Sequence, residues 1–236
     1  MKPKNIVFLH YFGGSSESWR LVVEGLPATY NCLPLNIPGF GNNASAKTIS
    51  IAGICAEIAE TLKLRALKNV TLVGHSMGGK LALFLTAKYP ELVDRILLVA
   101  PSPPTHEPMP EAEKERMLNH PDATEALQTV KNGTVLPLKN IIVETAIKTQ
   151  LQTDQQTWKW WLNTGMNHSI IDELNDLAIP VHLLTSYDDP VITSTLVQQE
   201  IIDRMMIKTH QVLHGVGHLI PYENPQAVID RIMKIT

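Results

Sequence analysis

Short apolar runs alternate with longer amphipathic segments along most of this chain. Runs rich in Val, Ile and Leu occupy residues 4–10, 30–37, 69–74, 94–100, 180–186 and 207–213. Their nearly continuous apolar character is that of strands buried on both faces of a parallel sheet. Between them lie stretches of helical period. The clearest sets Ile51, Ile54, Cys55, Ile58, Ala59 and Leu62 at i, i+3, i+4, i+7, i+8 and i+11, one face of a helix. That stripe predicts core packing. Right-handed crossovers between such strands predict an α/β fold, a doubly wound and mostly parallel sheet of about six strands, with sites at the carboxyl ends of the strands.

The alternation stops after Val99-Ala100, where prolines and then charges follow, and resumes at Ile179-Pro180. The pieces around 111–119, 122–130, 139–150 and 154–164 look helical, separated by His120-Pro121, Asn132-Gly133 and Pro137. Residues 101–178 are therefore predicted to form a helical cap inserted in a core of residues 1–100 and 179–236. Together they make a single domain over residues 1–236, with no internal repeat.

Charge narrows the partners. With 20 basic and 23 acidic residues and a formal net charge of −3, the chain has no broad cationic field for nucleic acid or an anionic membrane surface. No stretch is apolar for long enough to cross a bilayer. The first apolar run ends in His10-Tyr11-Phe12-Gly13, without a small-residue cleavage site, and reads as a strand, not a signal peptide. Cys32 lies in a strand-like run and Cys55 on the helical stripe, which fits buried thiols in a reducing compartment and hence a cytoplasmic location.

Chemistry concentrates in Gly74-His75-Ser76-Met77-Gly78, directly after an apolar strand and directly before a helix. A strand-to-helix turn of this kind needs small flanking residues because its backbone is strained and closely packed. The serine hydroxyl then projects from the tip, at a helix N-terminus that favours an anion.

This segment resembles the nucleophile elbow of the α/β-hydrolase superfamily, and other family marks occur in the same order. His10-Tyr11-Phe12-Gly13-Gly14 is similar to the family's His-Gly loop, with Tyr11 where the family usually has glycine. Asn36-Ile37-Pro38-Gly39-Phe40-Gly41 resembles its Asp-x-Pro-Gly-x-Gly loop, with Asn in place of Asp. His214-Gly215-Val216-Gly217-His218 resembles its Gly-x-Gly-His loop, and Ser186-Tyr187-Asp188-Asp189-Pro190-Val191-Ile192 lies where its Gly-x-x-Asp-x-x-Val stands. The resemblance covers most of residues 4–100 and 178–236. It implies a serine esterase with Ser76 as nucleophile, His218 as base and Asp189 behind it, and with the backbone N–H groups of Phe12 and Met77 as the oxyanion hole. Asp188 stays open as the acid, since register alone separates the neighbours. The resemblance implies neither metal nor organic cofactor and a small-molecule ester-type substrate. Against that family pattern, which opens with two further strands, the sheet is expected to be trimmed at one edge, since three residues precede Lys4.

Other readings compete. His214 and His218, four apart, could bind metal on a helix, but the two intervening glycines argue against a helix there. Gly39-Phe40-Gly41-Asn42-Asn43-Ala44 fits a dinucleotide fingerprint, but the next helix is predicted to begin only near Thr48-Ile49-Ser50, too late to meet a pyrophosphate. In the cap, Trp158 and Trp161 are the inward pair of a three-tryptophan cluster and, with Tyr11, are candidate substrate contacts; helix packing explains the tryptophans better. The same triad also serves lactone, thioester and carbon–carbon bond hydrolysis and perhydrolysis, and a slow ligand-binding receptor could retain it.

Overall fold

A computed structural model describes residues 4–236. Six strands, β1 (Lys4–Leu9), β2 (Tyr30–Leu35), β3 (Val70–His75), β4 (Val93–Val99), β5 (Val181–Ser186) and β6 (Thr209–Leu213), form one sheet in the order β2-β1-β3-β4-β5-β6. Every described pairing is parallel. The apolar runs thus became strands within about two residues of their predicted ends. What lies before Lys4 is outside the described residues.

Because side chains alternate across a strand, neighbouring residues serve different layers. Val7, Leu9, Leu72, Ile96 and Leu98 face one layer with α2 (Ile51–Leu64) and α3 (Met77–Lys88). Ile6, Phe8, Val73, Leu97 and Val99 face the other, where Trp19, Val22, Val228 and Ile232 pack from around α1 (Arg20–Gly25) and from α10 (Pro225–Ile235). All six positions of the α2 stripe are buried, and Ser50 caps that helix by accepting from Gly53 N–H at 3.0 Å.

Between β4 and β5 the chain forms α4 (Glu111–Met117), α5 (Ala123–Asn132), α6 (Asn140–Leu151) and α7 (Gln155–Trp160), with no strand among them. Short α8 (Ser194–Val197) and α9 (Ile220–Glu223) follow β5 and β6. The cap joins the core through side chains. Trp158 donates from Nε1 to Met117 O at 2.8 Å, stacks on His120 at 4.2 Å and leans on Phe12 of the β1 loop at 4.1 Å. Lys80, fully buried in α3, donates to Thr105 O at 2.7 Å and Met166 O at 3.0 Å, fixing both ends of the inserted segment to the helix that follows β3. Among the described residues no helix is long and apolar enough to cross a membrane.

Candidate active site

The turn after β3 has the strain its sequence predicts. Ser76 has φ +52° and ψ −119°, outside the ordinary regions for an L-residue. The chain crowds it on both sides: a Cβ on Gly74 would sit 2.4 Å from Gly78 O, and one on Gly78 would sit 2.4 Å from Leu9 O. Glycine is required at both for close approach. Ser76 N–H donates to Val99 O at 3.1 Å, tying the turn to the end of β4. Met77 is the first residue of α3, and its N–H has no acceptor within the helix.

After β5, Asp189 is buried and fully engaged. Its Oδ1 accepts from Val191 N–H at 2.8 Å and Ile192 N–H at 2.9 Å, and its Oδ2 meets His218 Nδ1 at 2.8 Å. Asp188 is used differently, accepting from Gly215 N–H at 2.6 Å. Ser186, in the place of the family's glycine, donates its hydroxyl to Val216 O and so also holds the His218 loop. The aspartate pair that register alone could not separate is separated by direction: one side chain supports the backbone of that loop and the other supports its histidine.

His218 is buried, and its N–H donates to Gly133 O in the cap at 2.8 Å. Glu223 Oε2 accepts from Gly217, Val135 and Leu136 N–H groups at 3.0, 2.9 and 2.7 Å, joining the histidine loop to the cap. Burial pushes the His218 imidazole down, but the charge and hydrogen bond of Asp189, helped by Glu107 and Glu223, outweigh it and leave the pKa raised. Burial holds two other histidines toward the neutral form. His75 donates from Nε2 to His218 O at 2.8 Å, and burial holds its pKa well below 6.5. His10 donates from Nδ1 to Tyr11 O at 2.8 Å and accepts at Nε2 from Ile37 N–H at 3.2 Å; burial lowers it to about 4, against that carbonyl bond.

Ser76 and His218 both line a cavity of about 300 Å³ between sheet and cap. Among the described residues no hydrogen bond joins Ser76 Oγ to His218 Nε2, while both side chains line the same cavity. Phe12, Tyr11 and Trp161 also line the cavity, with Pro190 and Val191 beside the acid loop. The Tyr11 ring, displaced from the usual glycine position, lodges 5.3 Å from the His75 ring and 6.2 Å from the Tyr222 ring. Trp158 does not line the cavity. Its indole is held in the cap core between Phe12 and His120, so it is a packing residue where substrate contact was an alternative.

The rival motifs go elsewhere. His214 is exposed on a turn beside Tyr187, and no cluster of three or more metal-type ligands occurs among the described residues. The Gly39–Ala44 segment is a turn closed by Gly39 N–H to Ala44 O at 2.8 Å, with α2 starting only at Ile51. Asn36 shows what replacing aspartate does there: it accepts from Ser16 N–H at 2.7 Å and also donates to Gly41 O at 3.1 Å, which a carboxylate could not. Sequence reasoning missed Lys80, Glu107 and Glu223. Lys80 left a signal, a lone cation inside an apolar helix. Glu107, in a proline-rich stretch without period, left none.

A family model described as the alpha/beta hydrolase fold matches residues 4–159. A 2-succinyl-6-hydroxy-2,4-cyclohexadiene-1-carboxylate synthase of Enterobacter is 32% identical over 43% of this chain and 39% of its own. Among solved structures, a bromoperoxidase from Bacillus anthracis superposes with a TM-score of 0.88 at 15% identity, covering 98% of this chain and 91% of that one. An esterase from Exiguobacterium antarcticum reaches 0.87 at 14% identity over 99% and 92%. The chain spans less than half the length of the curated relatives it matches.

Proposed function

The chain belongs to the α/β-hydrolase fold family, and on that premise we propose that it is a serine hydrolase cleaving a carboxylic ester through an acyl-enzyme. The observation that carries this reading is the buried 2.8 Å contact of His218 Nδ1 with Asp189 Oδ2 beside the cavity that Ser76 also lines. In the proposed reaction His218 Nε2 takes the proton of Ser76 as Oγ attacks the carbonyl carbon. The carbonyl oxygen becomes an anion facing the N–H groups of Met77 and Phe12, where one such donor is worth about 10²- to 10³-fold in rate. Collapse expels the alcohol, which takes its proton from His218. Water then gives a proton to His218, attacks the acyl carbon, and its collapse releases the acid and restores Ser76.

Two features favour the ester among reactions of this fold. The Enterobacter relative is named for a carboxylate, whereas neither Lys nor Arg lines this cavity among the described residues. The wall is otherwise largely apolar, suited to a short acyl chain. The two unpaired cysteines support a cytoplasmic setting.

A fluorophosphonate tests the reading, since its tetrahedral phosphorus mimics the acyl transition state. It should label one site, on the peptide carrying Ser76, and Ser76→Ala should abolish both labelling and hydrolysis of 4-nitrophenyl acetate. Persistent labelling in that variant overturns the assignment. A burst of one nitrophenolate per chain without further turnover would instead mark a slow receptor.

A further inference from the structure

Glu107 is a buried carboxyl group in the wall of the cavity that Ser76 and His218 line, and its Oε2 has no hydrogen-bond partner. A buried acceptor left without a partner is costly, so it calls for an explanation. Packing does not supply one. The group sits on a strap that has been fixed from two directions: Glu107 N–H donates to Met166 O at 3.1 Å, and Lys80 Nζ binds both that carbonyl and Thr105 O. Lys80 makes no ion pair with Glu107. It holds the backbone on either side, and the Ser102 hydroxyl is the one side-chain donor bearing on the carboxyl among the described residues, which leaves it acceptor capacity toward the cavity.

The surroundings define what could claim it. Glu113, the other acid of the cavity wall, is already paired with Arg116. Among the described residues the only basic side chain in the lining is His218, which Asp189 occupies. An incoming carboxylate would meet an acidic wall with no cation to receive it, whereas a hydroxyl or ammonium group would satisfy an existing acceptor. Burial raises the Glu107 pKa, with Ser102, His218 and Lys80 acting against the rise and Asp189 with it. The ionised carboxylate only accepts and repels an anion, and it is this form that the selection uses.

We propose that Glu107 selects the substrate, accepting a hydrogen bond from a hydroxyl or ammonium group on the acyl part of the ester and excluding acyl groups that end in a carboxylate. This rests on the serine hydrolase reading above. It makes Glu107 a specificity residue placed by Lys80, not a participant in the proton transfers.

The test is a series of methyl esters differing only at the far end: methyl hexanoate, methyl 6-hydroxyhexanoate, methyl 6-aminohexanoate and monomethyl adipate, with hydrolysis followed by chromatography. The wild-type kcat/KM for the amino or hydroxy ester should exceed that for monomethyl adipate by about 100-fold, the scale of one buried hydrogen bond to a charged group. Glu107→Gln keeps the shape and removes the charge, and it should shrink the amino-to-adipate ratio at least tenfold while the hydroxy-to-adipate ratio shrinks less. Thermal unfolding and fluorophosphonate labelling check that the variant is folded and its serine reactive. A wild-type preference for the adipate ester, or an amino-to-adipate ratio unmoved in Glu107→Gln, overturns the proposal. If methyl hexanoate is hydrolysed by wild type but not by Ser76→Ala and the ratios still do not move, the role of Glu107 alone falls. Hydrolysis that survives Ser76→Ala brings down the underlying reading instead.

Discussion

Replacing Asp189 with asparagine should remove most of the activity while leaving the fold intact, and the hydrogen bonds around it say why. Both backbone donors, Val191 and Ile192 N–H, converge on Oδ1. An asparagine keeps those two bonds only if its carbonyl oxygen takes the Oδ1 place, which forces the NH₂ group to the Oδ2 place, facing His218 Nδ1. That group can only donate, so Nδ1 must accept and the imidazole proton moves to Nε2. An Nε2 that carries a proton cannot take one from Ser76. The alternative flip keeps the productive tautomer but turns NH₂ toward two backbone N–H groups, losing two hydrogen bonds worth about 1 kcal/mol each and adding a clash of donors. The backbone therefore selects the wrong tautomer.

The expected loss is about 10⁴-fold in kcat, the scale on which a triad loses its tautomer. Asp188→Asn is the control, because an amide oxygen can still accept from Gly215 N–H, and it should lose less than about tenfold. Steady-state hydrolysis of 4-nitrophenyl acetate, with active sites counted by fluorophosphonate, measures both, and thermal unfolding shows whether each variant is folded. A folded Asp189→Asn within tenfold of wild type would refute the reasoning, and the reverse ranking would move the role to Asp188.

Three further outcomes follow from the same geometry. Because the His218 pKa is raised and only the neutral imidazole accepts a proton, kcat/KM should climb with pH along a titration centred above 6.5; a centre below 6.5 contradicts the dominance of Asp189 over burial. His10 is lowered from 6.5 to about 4, so between those values only the unfolded chain binds its proton, and stability should fall with decreasing pH by on the order of 3 kcal/mol from this residue alone. Urea unfolding of His10→Gln should show a shallower pH dependence over that window, and an undiminished slope counts against it. Trp158→Ala should cost about 3–5 kcal/mol by emptying the space between Phe12 and His120, read as a drop in thermal midpoint; a loss below about 1 kcal/mol would mean that the cap closes over the gap.

What could be read from the sequence was whatever the chain encodes locally. A parallel strand buried on both faces must be apolar throughout, so Val70–His75 and Val181–Ser186, with every residue buried, announce themselves as runs. A helix on one layer must repeat its apolar face, as Ile51 to Leu62 does. The elbow is partly local too, because its strain and the close approach of Gly74 to Gly78 fall within five consecutive residues, although Gly78 is also crowded by Leu9 O at the end of β1. The tryptophans mark where locality fails. Trp158 and Trp161 stand one helical turn apart, both are buried, and both meet the Phe12 ring, at 4.1 and 6.2 Å, as their spacing predicts. Which indole His120 encloses and which one reaches the cavity is set by residues far off in the chain, and spacing does not tell them apart.

The cavity wall is harder still, because its polar groups are set by bonds between segments far apart in the chain. Lys80 reaches carbonyls 25 and 86 residues away, and His218 N–H finds Gly133 O across the cap. No window of sequence contains both ends of such a bond. The two kinds of information divide along the reaction itself. In the proposed mechanism proton transfer depends on Ser76, Asp189 and His218, each on a loop after a strand, and the parallel sheet aligns those loops at one edge whatever the cap does. Choice of substrate depends on the cap strap, whose position comes from Lys80 and from packing around Trp158. A change at Lys80 should therefore disturb discrimination among acyl groups more than labelling of Ser76 by a small fluorophosphonate, although Lys80 lies only one helical turn beyond Ser76.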